Sequence, residues 1–111
     1  MTLLITEKDV AQLPLSIKAA IPIMEETFRQ AGQGSAENPP RYRMPFRNGF
    51  LQFGPAALHA QGVAGFKLWA NMGTGSGVHK NTAVPSLNFL YSTESGELHA
   101  IVHALTIGRF R

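Results

Sequence analysis

Apolar and polar positions along the 111-residue chain change their period once, from helical in the first third to alternating in the rest. Leu3 to Thr6 is a short apolar run that reads as an edge strand, and Thr6 with Asp9 three residues on has the pattern of a capped helix start. A short helix from Glu7 to about Leu13 follows. Ile17, Ala20, Ile21, Met24 and Phe28 then recur at helical spacing, with Glu25, Glu26, Arg29 and Gln30 opposite them. The spacing predicts an amphipathic helix up to Gln30 whose apolar stripe packs on a sheet. Pro22 costs a hydrogen bond in a helix interior, so it belongs in the first turn or at a kink. Gly32 and Gly34 supply the stop.

Gly34 to Pro40 is small, polar and proline-bearing, which predicts a surface loop. Arg41 to Phe46 alternates, with Tyr42, Met44 and Phe46 on one side and Arg41 and Arg43 on the other. Asn48-Gly49 is a two-residue turn pattern, and it predicts a hairpin of Arg41 to Phe46 with Phe50 to Phe53. Gly62 to Met72 and Val84 to Ser92 are further strands, joined by the glycine-rich stretch from Gly73 to Asn81. Ser95-Gly96 is a second turn, which pairs Val84 to Ser92 with Glu97 to His103. Ala104 to Arg111 reads as the opening turns of a helix. One or two helices followed by consecutive hairpins predict an α+β fold, with N-terminal helices packed on one face of a largely antiparallel sheet of five or six strands.

With 44% hydrophobic and 15% charged residues, the composition is that of an ordinary globular chain forming one domain. No apolar run reaches the roughly 18 to 20 residues of a membrane helix, and no secretory leader pattern opens the chain, so a cytoplasmic protein without a membrane partner is expected. The absence of cysteine removes disulfides and thiolate chemistry. A net charge of +3 raises the question of nucleic acid. Its Lys and Arg residues are dispersed singly among apolar neighbours rather than clustered, so no nucleic-acid partner is expected.

Few residues are arranged for chemistry. Gly73-Thr74-Gly75-Ser76-Gly77 exposes backbone amides but matches neither the dinucleotide fingerprint nor the phosphate-loop pattern, and reads as a flexible connection or flap. Of His59, His79, His99 and His103, only the last two are neighbours; on a strand they share a face roughly 13 Å apart, too far to share one ion, so no metal is expected. The basic residues carry more. Arg41 follows Pro39-Pro40 at the start of a strand, Lys67 is flanked by Phe66, Leu68 and Trp69, and Arg111 ends the chain. A lysine in such company either faces solvent or requires an anion, because an unpaired buried ammonium is costly.

Pro39-Pro40-Arg41, Gly49-Phe50-Leu51, Gly65-Phe66-Lys67, the hairpin end from Leu90 to Glu97 and the terminal Gly108-Arg109-Phe110-Arg111 resemble, in order and spacing, the N-terminal region of the ornithine cyclodeaminase/mu-crystallin family. The opening Leu3 to Val10 and the helix Ile21 to Phe28 fit it too, so the resemblance spans essentially the whole chain. It implies a substrate-binding and dimerisation domain over residues 1–111, truncated before the NAD(P)-binding half. Such enzymes use NAD or NADP at the α-carbon of amino or imino acids, in ornithine cyclisation, alanine dehydrogenation or ketimine reduction. By resemblance, Arg41, Lys67 and Arg111 hold the substrate carboxylate, and the chain forms a homodimer. These 111 residues alone are expected to bind no dinucleotide and to contain no catalytic residue. Gly54-Pro55-Ala56 departs from the family's Met-Pro-Ala, Ser92 stands where aspartate is common, and His103 replaces an acidic residue. A stand-alone small-anion-binding or dimerisation module without catalysis is the alternative.

Overall fold

A computed structural model of the chain describes residues 1–72 and 86–110. The expectations for the Gly73 to Gly77 connection, for His79, for the start of the fourth strand at Val84 and for Arg111 lie outside the described residues. The described strands are β1 (Leu3–Ile5), β2 (Ala36–Glu37), β3 (Tyr42–Phe46), β4 (Gly49–Leu58), β5 (Val63–Met72), β6 (Leu87–Ser92) and β7 (Leu98–His103). They form one sheet in the order β1-β7-β6-β5-β4-β2, with β3 also paired to β4. The helices are α1 (Glu7–Val10) and α2 (Ile17–Gly32), with single 3-10 turns at His59–Gln61 and Ile107–Phe110.

The α+β class stands, and the sheet is mixed. β1 runs parallel to β7, Leu3 opposite Ala100 and Ile5 opposite Val102. The two ends of the sequence are thereby neighbours, which no local pattern announces. The remaining pairings are antiparallel. The region read as a loop before Pro40 contains the two-residue β2, which pairs with the far end of β4.

Local patterns act where their physics is local. Thr6 caps α1, its side chain accepting from the Asp9 amide while Asp9 accepts from the Thr6 amide at 2.8 Å. α1 ends at Val10, short of the expected Leu13, and the closing segment forms a 3-10 turn rather than an α-helix. Ser16 caps α2 through the Ala19 amide at 3.0 Å. Pro22 is inside α2, past its first turn, where it removes one backbone donor.

Two expectations about faces are corrected. The apolar stripe of α2 does not pack on the sheet as a unit: Ile17, Ile21 and Phe28 are 68, 51 and 69% exposed, and the more sheltered positions are Ala20, Met24, Thr27 and Gln30. The buried apolar cluster is instead made by Val10 of α1 with Ala100 and Val102 of β7, joined by Ile5 and Ile107. The first hairpin forms, but Phe46 pairs with Gly49, so Arg47-Asn48 and not Asn48-Gly49 make the turn. Neither Asn48 nor Gly49 takes a positive φ.

β4 runs on through Pro55 to Leu58, five residues beyond the expected end. Proline is tolerated there because β3 pairs with residues 49–53 of β4 and β2 with 57–58, leaving Pro55 at a local edge.

Candidate functional site

The register assigns each basic residue to a face. Directly opposed residues of antiparallel strands point the same way. Gly54 of β4 opposes Lys67 of β5, Lys67 opposes Asn88 of β6, and Asn88 opposes Val102 of β7. Arg43 of β3 opposes Gln52, which opposes Trp69, on that same face. Arg41 immediately precedes β3, and its Cγ lies 3.9 Å from where a side chain on Gly54 would begin. Arg41, Gly54 and Lys67 therefore form one row across the sheet. Arg41 and Lys67 are not on adjacent strands; β4 separates their backbones by two strand spacings, roughly 10 Å. The residue between them, Gly54, carries no side chain.

The two arginines on this face differ in their engagements. Arg43 places its guanidinium 3.9 Å from the centre of the Phe50 ring and directs Nε and Nη2 to Gln52 Oε1 at 3.3 and 3.2 Å. Gln52 is buried, so Arg43 is a fixed part of the sheet surface. Arg41 is exposed and makes no hydrogen bond or ion pair with a described residue. No Asp or Glu occurs between Glu37 and Glu94, so strands β3 to β6 supply no carboxylate to neutralise this face.

Beside the row lies a cavity of about 290 Å³ whose wall includes Gly54, Ala56, Val63, Gly65, Lys67, Asn88, Ile107 and Gly108. The cavity is largely apolar, with Lys67 and Asn88 as polar groups at one end, a usual make-up for a small-molecule site. The 3-10 turn forms its roof: Lys67 Nζ is 3.8 Å from the position of a Cβ on Gly108. Lys67 is thus half-buried and lines the cavity. Arg111, the third expected member, lies outside the described residues.

Glu7 holds that roof from the other end of the chain. Its carboxylate accepts from the Leu105 and Thr106 amides at 2.7 and 3.2 Å. The Thr106 side chain above all, then these amides and the charge of His103, keep its pKa below the usual 4.5, against the opposing effect of burial. The folded value is depressed, so the tether is at full strength above pH 4.5 and is lost as pH falls through the folded value. Glu7→Gln is expected to loosen residues 104–110 at neutral pH by about 1 kcal/mol, roughly fivefold in protection of the Gly108 amide against hydrogen exchange. Equal protection in wild type and variant at pH 7 would rule the tether out.

Asn88 was not singled out by sequence reasoning, and Gly54 and Gly108 entered it only within family motifs, with no role attached. Asn88 had one available indication, a lone amide in the apolar run from Leu87 to Tyr91; Gly54 had another, a glycine in a strand pattern away from any turn. Among the described residues no group of three His, Asp or Glu side chains is placed to hold a metal, and His59, in the turn after β4, pairs with Glu37 of β2 at 3.3 Å.

The class defined by these features is an α+β domain with a mixed sheet and a row of basic residues beside a small, largely apolar cavity. The chain belongs to the ornithine cyclodeaminase/mu-crystallin family, whose model matches residues 1–111. It is 35% identical over 103 residues to an alanine dehydrogenase of Archaeoglobus fulgidus, an alignment covering 93% of this chain and 31% of that protein. Its structure resembles an archaeal alanine dehydrogenase dimer with bound NAD, at TM-score 0.82 and 32% identity over 99% of this chain and 33% of that one. It also resembles a probable ornithine cyclodeaminase from Bordetella pertussis Tohama I, at TM-score 0.80 and 25% identity over 99% of this chain and 32% of that one. The chain thus spans about a third of the length of these relatives.

Proposed function

We propose that these residues are the substrate-binding and dimerisation portion of a cytoplasmic NAD- or NADP-dependent enzyme that acts on a small amino or imino acid. The observation that carries the reading is the row Arg41, Gly54, Lys67, with two cations flanking a side-chain-free position at the mouth of a cavity. A planar carboxylate suits a guanidinium that can donate two parallel bonds, and an ammonium on its other side adds a compact charge. Arg111 is proposed as a third donor, and Asn88, beside Lys67 on β6, as a neutral one. The chain's own residues would bind and orient the carboxylate, leaving the α-carbon toward the cavity. Binding and orienting the carboxylate is the part in the reaction that this reading gives to these residues.

The opposite face of the sheet supports the homodimer. It carries Tyr42, Met44 and Phe46, each more than 40% exposed, together with Leu51, Phe53, Leu68 and the stacked pair Phe66 and Phe89. Phe50 is on the cationic face against Trp69. An apolar sheet face of this extent is a natural site of association.

Titration of the chain with pyruvate, followed by amide NMR shifts, tests the binding reading. Saturable shifts centred on residues 54, 67 and 108 are expected, and shifts spread evenly over all basic residues would sink it. Light scattering at ~100 μM, above the micromolar affinities of ordinary specific complexes, should report a dimer; a strict monomer would count against the association.

A further inference from the structure

Glu7 is not needed by the helix it opens. The cap of α1 is complete without it, since Thr6 and Asp9 satisfy one another, and the Glu7 carboxylate serves the other end of the chain. Its Oε1 accepts from the Leu105 and Thr106 amides. Those amides stand ahead of the closing turn's own bonds, from Gly108 to the Ala104 carbonyl at 3.1 Å and from Arg109 to the Thr106 carbonyl at 3.0 Å. The first donors of a helical turn have no partner within it, and a carboxylate is a strong acceptor for them. Glu7 therefore caps the closing turn from a different element. Both ends of the link are anchored: Val10 seats α1 on Ala100 and Val102, and the Ala104 amide donates to the Ser86 carbonyl at 2.7 Å.

We propose, resting on the carboxylate-binding reading above, that Glu7 is a positioning residue for the anion site: it holds the closing turn over Lys67 without touching the ligand. Ile107 and Gly108 of that turn line the cavity, a Cβ on Gly108 would stand 3.8 Å from Lys67 Nζ, and the turn leads directly into Arg111. A single turn of this kind is marginal by itself, because few bonds repay the fixing of its dihedrals. Without Glu7 it keeps those few bonds and the contact of Ile107 with the buried cluster. A turn closed for part of the time offers its lining to a ligand in that same fraction, and the apparent affinity falls in proportion. The coupling runs both ways: a carboxylate that binds the closed form also protects the Leu105, Thr106 and Gly108 amides.

The test separates positioning from stability. The 111-residue chain is compared with Glu7→Ala, Glu7→Gln and Ser16→Ala. Ser16 caps α2 through the Ala19 amide, so its removal destabilises the chain as loss of a helix cap does and leaves the tether of the closing turn in place. Nuclear Overhauser contacts between Gly108 and the Lys67 side chain report the turn, NMR titration gives the pyruvate affinity, and thermal melts give the stability. In Glu7→Ala the contacts are expected to weaken and the affinity to fall at least about fivefold, with Glu7→Gln, which keeps an acceptor oxygen, intermediate. Ser16→Ala is expected to melt lower with contacts and affinity unchanged. Wild-type affinity in Glu7→Ala overturns the positioning role, as does an equal loss of affinity in Ser16→Ala, which would make the effect one of stability alone. Should Glu7→Ala fail to fold, Glu7→Gln decides on the same readings. Absence of pyruvate binding by wild type is a separate result: it removes the carboxylate site and this role with it, while the Gly108 contacts still show whether Glu7 holds the turn.

Discussion

Lys67→Ala is expected to weaken pyruvate binding roughly 10- to 150-fold while leaving the sheet intact, because a charge-assisted contact contributes about 1.5 to 3 kcal/mol. The direction follows from where the ammonium sits. Lys67 leaves the middle of β5 toward the roof at Gly108 and lines the cavity, and Asn88 next to it is neutral. Removing Lys67 leaves Arg41 as the one basic side chain flanking Gly54 among the described residues, since Arg43 is engaged by Gln52 and Phe50. The fold should survive because the buried cluster is made by Val10, Ala100 and Val102. NMR titration gives the affinity and the amide spectrum reports the fold. Undiminished pyruvate affinity in a folded Lys67→Ala chain would remove Lys67 from the site.

Gly65→Ala should act on stability rather than on binding. The added methyl would lie 2.0 Å from the Phe89 carbonyl oxygen, 3.1 Å from its carbonyl carbon and 3.4 Å from Leu90 Cδ2. The first two are backbone atoms and cannot rotate away, so β6 must move relative to β5. That motion disturbs the pairing of Gly65 with Leu90, where β6 already carries a register shift against β7. Overpacking of this kind costs about 1 to 3 kcal/mol and more when backbone must shift. For a domain of this size a fall in Tm of more than about 10 °C is expected in a thermal melt. A melting temperature within about 2 °C of wild type would mean that the strands separate more easily than the packing implies.

Gly54 and Gly65 mark how far sequence reading reaches. Both stand in strands, and Gly65 was noticed as part of Gly65-Phe66-Lys67. Gly54 appeared as a departure from a familial Met-Pro-Ala, with no role attached. Its place in a row with Arg41 and Lys67, which are 13 residues away on either side, is set by the register. Lys67 itself was legible as a residue seeking an anion, since three apolar neighbours make a cation conspicuous. That its partner in the row is Arg41 followed from resemblance, and the register provides the physical reason.

What the sequence determined by itself is short-range. The Thr6 and Asp9 cap, the left-handed Gly96 at φ 73° in the turn between β6 and β7, which is longer than the expected Ser95-Gly96 pair, and the alternation of β3 all depend on atoms a few residues apart, where residue type alone sets the energy. Alternation also fixed which residues of one strand share a face. The tertiary structure decided which strand stands beside which and which face is covered. β1 joins β7 because the capped α1 carries Val10 over Ala100 and Val102, a contact between opposite ends of the chain. The α2 stripe remains partly exposed because that cluster is filled from α1 and the closing turn. Arg41 and Lys67 share a face because the register of β3, β4 and β5 sets them on either side of Gly54, and a pairing register is settled by the sum of contacts along whole strands, which no window of sequence contains.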